Sequence, residues 1–296
     1  MRNLLRAALV AAAVLAAGNG ALAVTYKDLM ARPHGEPDAH LTYGAAPEQF
    51  GDLWLPKGNG PHKVVLLVHG GCWLSELPGV AMMNPMAEAL RAKGFAVWDI
   101  EYRRIGAQGG GYPGTFLDVS AAADMLRGIA GKYHLDLKHV VAVGHSAGGH
   151  LAMWLAARPR LPKNSPLASP HPLAISGVVS LAGILDLKGY REDGAACGGA
   201  ETVDGITGAA ARQGQDVYAD TSPQALLPIG VRQTIVAGGQ DHIVPDHWRL
   251  SYVTAAIAAG DQPASLGIPD AGHFELIDPQ SSAWAHVLDA IEGAAR

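Results

Sequence analysis

Cysteine is nearly absent: Cys72 and Cys197 are the only two in 296 residues. So low a count excludes a disulfide-stapled miniature scaffold and every cysteine-rich metal site. Basic charge is also scarce. Lys and Arg number 22 against 27 Asp and Glu, the formal charge is −5, and no basic run occurs anywhere. A nucleic-acid-binding surface therefore has no electrostatic footprint here. Beyond the N-terminus there is no apolar stretch of about 18 residues, so no second segment qualifies as a bilayer span. What remains is a chain that is 49% hydrophobic and 17% charged. That is enough for one large α/β domain with a buried sheet, or for two small domains.

The N-terminus reads as an address rather than as part of the fold. Arg2 and Arg6 precede an apolar run from Ala7 to Ala17, which leads to Ala21-Leu22-Ala23. A basic start, a short apolar core and an A-x-A end predict a signal peptide cleaved after Ala23. The alternative for the same residues is an uncleaved anchor. Cleavage predicts an exported chain, periplasmic or secreted, with no stable membrane insertion, and loss of the two arginines takes the charge from −5 to −7. Export also bears on the cysteines. In an oxidising compartment Cys72 and Cys197 could pair across a long loop, and two free thiols fit the sequence equally well.

Along the remaining chain, apolar runs alternate with helical patterns, the rhythm of a mostly parallel sheet flanked by helices. Strands are expected at Phe50–Leu55, Lys63–Val68, Phe95–Ile100, His139–Val143, Ile175–Leu181, Gln233–Ala237 and Ala264–Ile268. Helices are expected at Met82–Lys93, Phe116–Ala130, His150–Arg158 and Trp284–Ile291. From Gly189 to Gly214 the rhythm breaks into Gly, Ala and acidic residues, read either as a mobile surface excursion or as a small polar lid. Too few large apolar residues occur there for a greasy interfacial lid.

Gly144-His145-Ser146-Ala147-Gly148 stands between an expected strand and an expected helix. That context turns G-x-S-x-G into a nucleophile elbow, whose glycines allow a strand–helix turn too close for side chains. Such a serine needs a base. His273 lies in Asp270-Ala271-Gly272-His273-Phe274, after the last strand and before the terminal helix. His145 and His150 flank the elbow, with His145 expected to point away from Ser146. The acid that orients the base is expected at Asp241, in the loop after the penultimate strand; Asp186 and Asp246 are its competitors. Serine, acid and histidine then follow the α/β-hydrolase order. Two glycines after the 64–68 strand, in His69-Gly70-Gly71-Cys72-Trp73, allow amides to turn toward a pocket. The expected oxyanion donors are Gly71, Cys72 and Ala147, with His69 locking the loop. Trp73 reads either as a pocket wall or as ordinary packing.

Together, His69–Trp73, the run Gly144–Leu151, Gly272–Ile277 and Glu101-Tyr102-Arg103 resemble the α/β-hydrolase superfamily. The similarity is to its kynurenine formamidase-like and carboxylesterase-like enzymes, over roughly residues 40 to 292. Cys72 departs from the pattern, since related loops carry Gly, Ala or an aromatic there; a backbone donor survives that exchange. The resemblance implies an α/β-hydrolase fold with a small lid-like insertion. It implies acyl transfer by Ser146, Asp241 and His273, with no metal or organic cofactor and a small-molecule ester as substrate. Three functions stay open: a carboxylesterase, an arylformamidase, and a non-catalytic binding protein on the same fold.

Overall fold

Short β-branched runs with no polar break make strands that are buried on both faces, and such strands assemble side by side under covering helices. The computed structural model describes residues 23–193 and 196–296. The charged and apolar run read as a leader therefore lies outside the described residues, apart from Ala23. Eight strands form one sheet: β1 (Ala39–Thr42), β2 (Phe50–Trp54), β3 (His62–Val68), β4 (Ala96–Ile100), β5 (Leu135–His145), β6 (Gly177–Leu181), β7 (Arg232–Gly238) and β8 (Ala264–Ile268). Their spatial order is β1-β2-β4-β3-β5-β6-β7-β8. Only β2 runs against its neighbours; β3 to β8 all point the same way.

Eight helices accompany the sheet among the described residues: α1 (Tyr26–Met30), α2 (Asn84–Ala92), α3 (Gly114–Tyr133), α4 (Ala147–Ala157), α5 (Leu187–Asp193), α6 (Gly199–Thr207), α7 (His247–Ala259) and α8 (Trp284–Ala294). None is long and apolar enough to cross a membrane. Helix α4 packs over β3, β5 and β6, and all eleven of its residues are buried. That explains its uniformly apolar sequence, because a helix enclosed on every side needs no polar face.

Register decides where the chemistry gathers. Val68 pairs with Gly144, Gly144 with Ser180, Leu181 with Val236, and Gly238 with Ile268. The carboxyl ends of β3, β5, β6, β7 and β8 are thus level, and the loops leaving them converge on one edge, where ligands bind in open α/β sheets.

The structure differs from the sequence reading in four places. β1, α1 and α7 were not anticipated. The 189–214 stretch is also more ordered in its secondary structure than a surface excursion: it carries the end of α5, a 3-10 turn at Ala196–Gly198 and α6. Val203 and Ile206 of α6 are fully buried, and Arg191 and Asp204 pair at 2.6 Å between the two helices. Cys72 and Cys197 form a disulfide, which settles the pairing the sequence left open.

Candidate active site

Ser146 is the residue between β5 and α4, with φ 56° and ψ −122°. A side chain in this region is strained, and surrounding structure must hold it there. The Ser146 N–H donates to the Leu181 carbonyl at 2.8 Å, and the His150 N–H donates to the Ser146 carbonyl at 3.1 Å. The flanking glycines are obligatory. A β-carbon at Gly144 would lie 2.0 Å from the Gly148 oxygen, and one at Gly148 would lie 2.1 Å from the Val68 oxygen.

His273 leaves the loop after β8, and Asp241 leaves the loop after β7. The His273 Nδ1–H donates to Asp241 Oδ2 at 2.6 Å. The other carboxylate oxygen, Oδ1, accepts the N–H groups of Ile243 and Val244, both at 2.8 Å. Asp241 is therefore fixed by its own loop and fixes the imidazole in turn, which leaves Nε2 with the ring's lone pair. Neither competitor reaches the histidine. Asp186 caps the first turn of α5 by accepting the Gly189 N–H, and Asp246 pairs with Arg249.

His145 packs its ring against that of His273. Its Nε2–H donates to the His273 carbonyl at 3.0 Å, and the two rings lie 4.4 Å apart. Burial, with the neighbouring His273 adding to it, holds its pKa well below the ordinary imidazole value. A neutral His145 thus braces the backbone that carries His273. The signal for this role is its place at the last position of a central strand, next to the serine.

The loop after β3 takes three successive left-handed residues, Gly71 (φ 96°), Cys72 (φ 51°) and Trp73 (φ 56°). A buried polar network holds it. His69 lies flat on Tyr102 with ring centres 4.4 Å apart and bonds Glu101 at 2.8 Å through Nε2. The Tyr102 hydroxyl donates to the His69 carbonyl, and Arg104 donates to the carbonyls of Leu74 and Leu77. Burial would raise the Glu101 pKa, but His69 and Arg104 outweigh it and hold the group at about 2. His69 is thus a loop anchor. Glu101 and Arg104, whose roles sequence reasoning did not assign, are the charges that secure it.

Trp73 is not a pocket wall. Its ring is fully buried, and its Nε1–H donates to His150 Nδ1 at 3.2 Å. His150 in turn donates from Nε2 to the Thr221 carbonyl, and burial lowers its pKa to about 4. The cleft beside Ser146 has a volume of about 390 Å³. Gly71, Cys72, His145, Ser146 and His273 line it together with the apolar Leu77, Pro78, Met82, Ile243 and Phe274. Thr25 and Tyr26 close one wall, a contribution from the chain's start that no motif announces. Among the described residues, no Asp, Glu, Lys or Arg lines it. A roomier groove of about 620 Å³ between Asp38, Leu55 and Arg91 holds no nucleophile and no histidine.

The strand order, the single reversed strand and the serine elbow after β5 define an α/β-hydrolase. More narrowly, the chain belongs to the BD-FAE family, whose model matches residues 52–250. No curated protein sequence matches it. Solved structures share the fold. One is a truncated carbohydrate esterase from gut microbiota, 19% identical with a TM-score of 0.72, aligned over 88% of this chain and 97% of that one. Esterase B from Lactobacillus rhamnosis is 19% identical with a TM-score of 0.74, over 91% and 90%. A bifunctional GH43-CE protein of Bacteroides eggerthii is 23% identical with a TM-score of 0.70; 86% of this chain spans only 38% of that one.

Proposed function

We propose that the protein is an exported serine hydrolase that cleaves small carboxylic esters through an acyl-enzyme. The observation that carries this reading is the 2.6 Å bond from His273 to Asp241 in a cleft shared with Ser146. His273 Nε2 takes the Ser146 hydroxyl proton as Oγ attacks the ester carbonyl carbon. The N–H groups of Gly71, Cys72 and Ala147 stabilise the resulting oxyanion, the last of them at the start of α4. His273 passes the proton to the departing alkoxide, and water then repeats the sequence to release the acid.

The cleft favours a neutral, apolar acyl group. A charged acyl group would enter a site with no counter-charge, at a desolvation cost of several kcal/mol or more, roughly. In an amino-acid formamide such as N-formylkynurenine the acyl group is a neutral formyl, but the departing amine carries both an ammonium and a carboxylate. Placing those charges in the same cleft carries the same desolvation cost, which disfavours the formamidase reading. The esterases among the similar structures support this direction. The test is a panel of short and long acyl esters, acetylated sugars, feruloyl esters and N-formylkynurenine, with Ser146→Ala as control. Turnover of neutral esters and none of the formamide supports the reading; the reverse order overturns it.

A further inference from the structure

We propose that hydrolysis of the Ala23–Val24 peptide bond creates an α-ammonium on Val24 that pairs with Glu275 and so fixes the loop bearing His273. The Val24 N–H donates to Glu275 Oε1 at 2.6 Å, across 251 residues of chain. Glu275 Oε2 is buried and has no partner among the described residues. A peptide amide has one hydrogen and satisfies one oxygen. An ammonium at the same atom has three, and it brings a positive charge to a carboxylate that forms no ion pair among the described residues. The carboxylate rests on Gly272, where a β-carbon would lie 2.7 Å from Oε2, so the pair would form against the residue preceding His273.

The segment that follows Val24 behaves as a strap across the site. Thr25 and Tyr26 wall the cleft, and the Tyr26 ring meets Phe274 edge-on at 6.3 Å. Leu29 is fully buried, with α1 packed on the Val80–Met83 turn, whose Met82 also lines the cleft. Arg32 pairs with Asp278 at 2.6 Å, a carboxylate that is 1% exposed. Val24, Tyr26 and Arg32 thus grip Glu275, Phe274 and Asp278, all within five residues of His273. Asp28 faces the same start of chain, accepting the Thr25 N–H and hydroxyl, which offsets a positive charge at the head of α1.

The covalent step is an ordinary hydrolysis by a leader peptidase. Water adds across the peptide bond, its oxygen going to Ala23, which leaves as a carboxylate, and both its hydrogens to the Val24 nitrogen, which becomes an α-ammonium, mostly protonated at neutral pH. Leader removal would then do two things at once: free the chain and complete the support of the proposed base. The export expectation and the proposed function both underlie this step.

The experiment uses the protein secreted from its own leader. Intact mass is expected to place Val24 at the N-terminus; a chain starting at any other residue overturns the proposal. A cycle then compares this protein, a form retaining Leu22-Ala23 before Val24, Glu275→Gln, and the two changes combined. Each single change is expected to lower Tm by about 2–4 °C and kcat/KM on p-nitrophenyl acetate by roughly tenfold. The combination is expected to lose no more than either change alone, because both remove one interaction. Losses that add, or an extended chain equal to the mature one, overturn it. If no form turns over any ester, the proposed function fails while the Tm cycle still decides the ion pair.

Discussion

Asp241 and Asp186 are both aspartates placed soon after a sheet strand, and their loops separate their roles. The Asp241 loop turns two amides onto Oδ1 and leaves Oδ2 for His273, whereas Asp186 spends its side chain on the first turn of α5. Asp241→Asn is expected to lower kcat by about 10³–10⁴-fold by favouring the wrong histidine tautomer, and Asp186→Asn to stay within a few-fold of wild type by roughly the surface-substitution rule. Steady-state kinetics of the two variants check this, and the reverse order would move the acid to Asp186. Asp99 on β4 presents a different residue-scale problem. It is fully buried with both carboxylate oxygens unpartnered among the described residues, and burial, with Asp52 and Glu101 adding, raises its pKa well above the ordinary value. A group that binds its proton more tightly when folded loses stabilising effect as pH rises from its unfolded pKa, about 3.9, toward its folded one. Asp99→Asn is therefore expected to gain Tm relative to wild type with rising pH, with the gain vanishing near pH 4. Parallel Tm curves between pH 4 and 8 would contradict it.

At the scale of elements, the loop after β3 is held from both sides. Glu101, His69 and Arg104 anchor it to β4, while the Cys72–Cys197 disulfide ties it to the turn before α6. Closing a loop with a sequence separation of 125 restricts the unfolded chain. Replacing both cysteines by serine is expected to cost about 2–4 kcal/mol. A urea midpoint unchanged in the variant would count against that role. Elements with a strong local pattern are readable in advance: β3, β5 and β7 are built on the apolar runs Val64–Val68, Val140–Val143 and Ile235–Ala237, and α3 is a long helix-forming segment, although it continues through Gly131 to a left-handed cap at His134. The misses have physical reasons. β1 is a four-residue edge strand, half exposed, with little to distinguish it from a loop. α7 buries only Tyr252 and Ala256 and leaves Leu250 and Ile257 exposed, so no apolar stripe marks it. In α5 and α6, order comes from the Arg191–Asp204 pair, the disulfide and the buried Leu187, Tyr190, Val203 and Ile206, contacts that no local pattern announces.

For the whole molecule, topology converts scattered motifs into one place. The elbow, the Asp241 loop, the His273 loop and the glycine loop are 30 or more residues apart, and the level carboxyl ends of the parallel strands bring them to one cleft. Order along the chain made that much readable, because the residues follow a known sequence of roles. It was silent on the walls. Trp73 turned inward to His150, and Tyr26 came from the opposite end of the chain, because both placements depend on packing between elements. Everything in the proposed chemistry turns on Ser146 carrying the acyl group. Intact-mass analysis of the protein quenched during turnover of a slow p-nitrophenyl ester tests it most directly. One acyl adduct per chain is expected, mapped to Ser146, and for Ser146→Ala no adduct and a kcat lower by more than about 10⁴-fold. An adduct on another residue, or a Ser146→Ala variant with near-normal turnover, would contradict it.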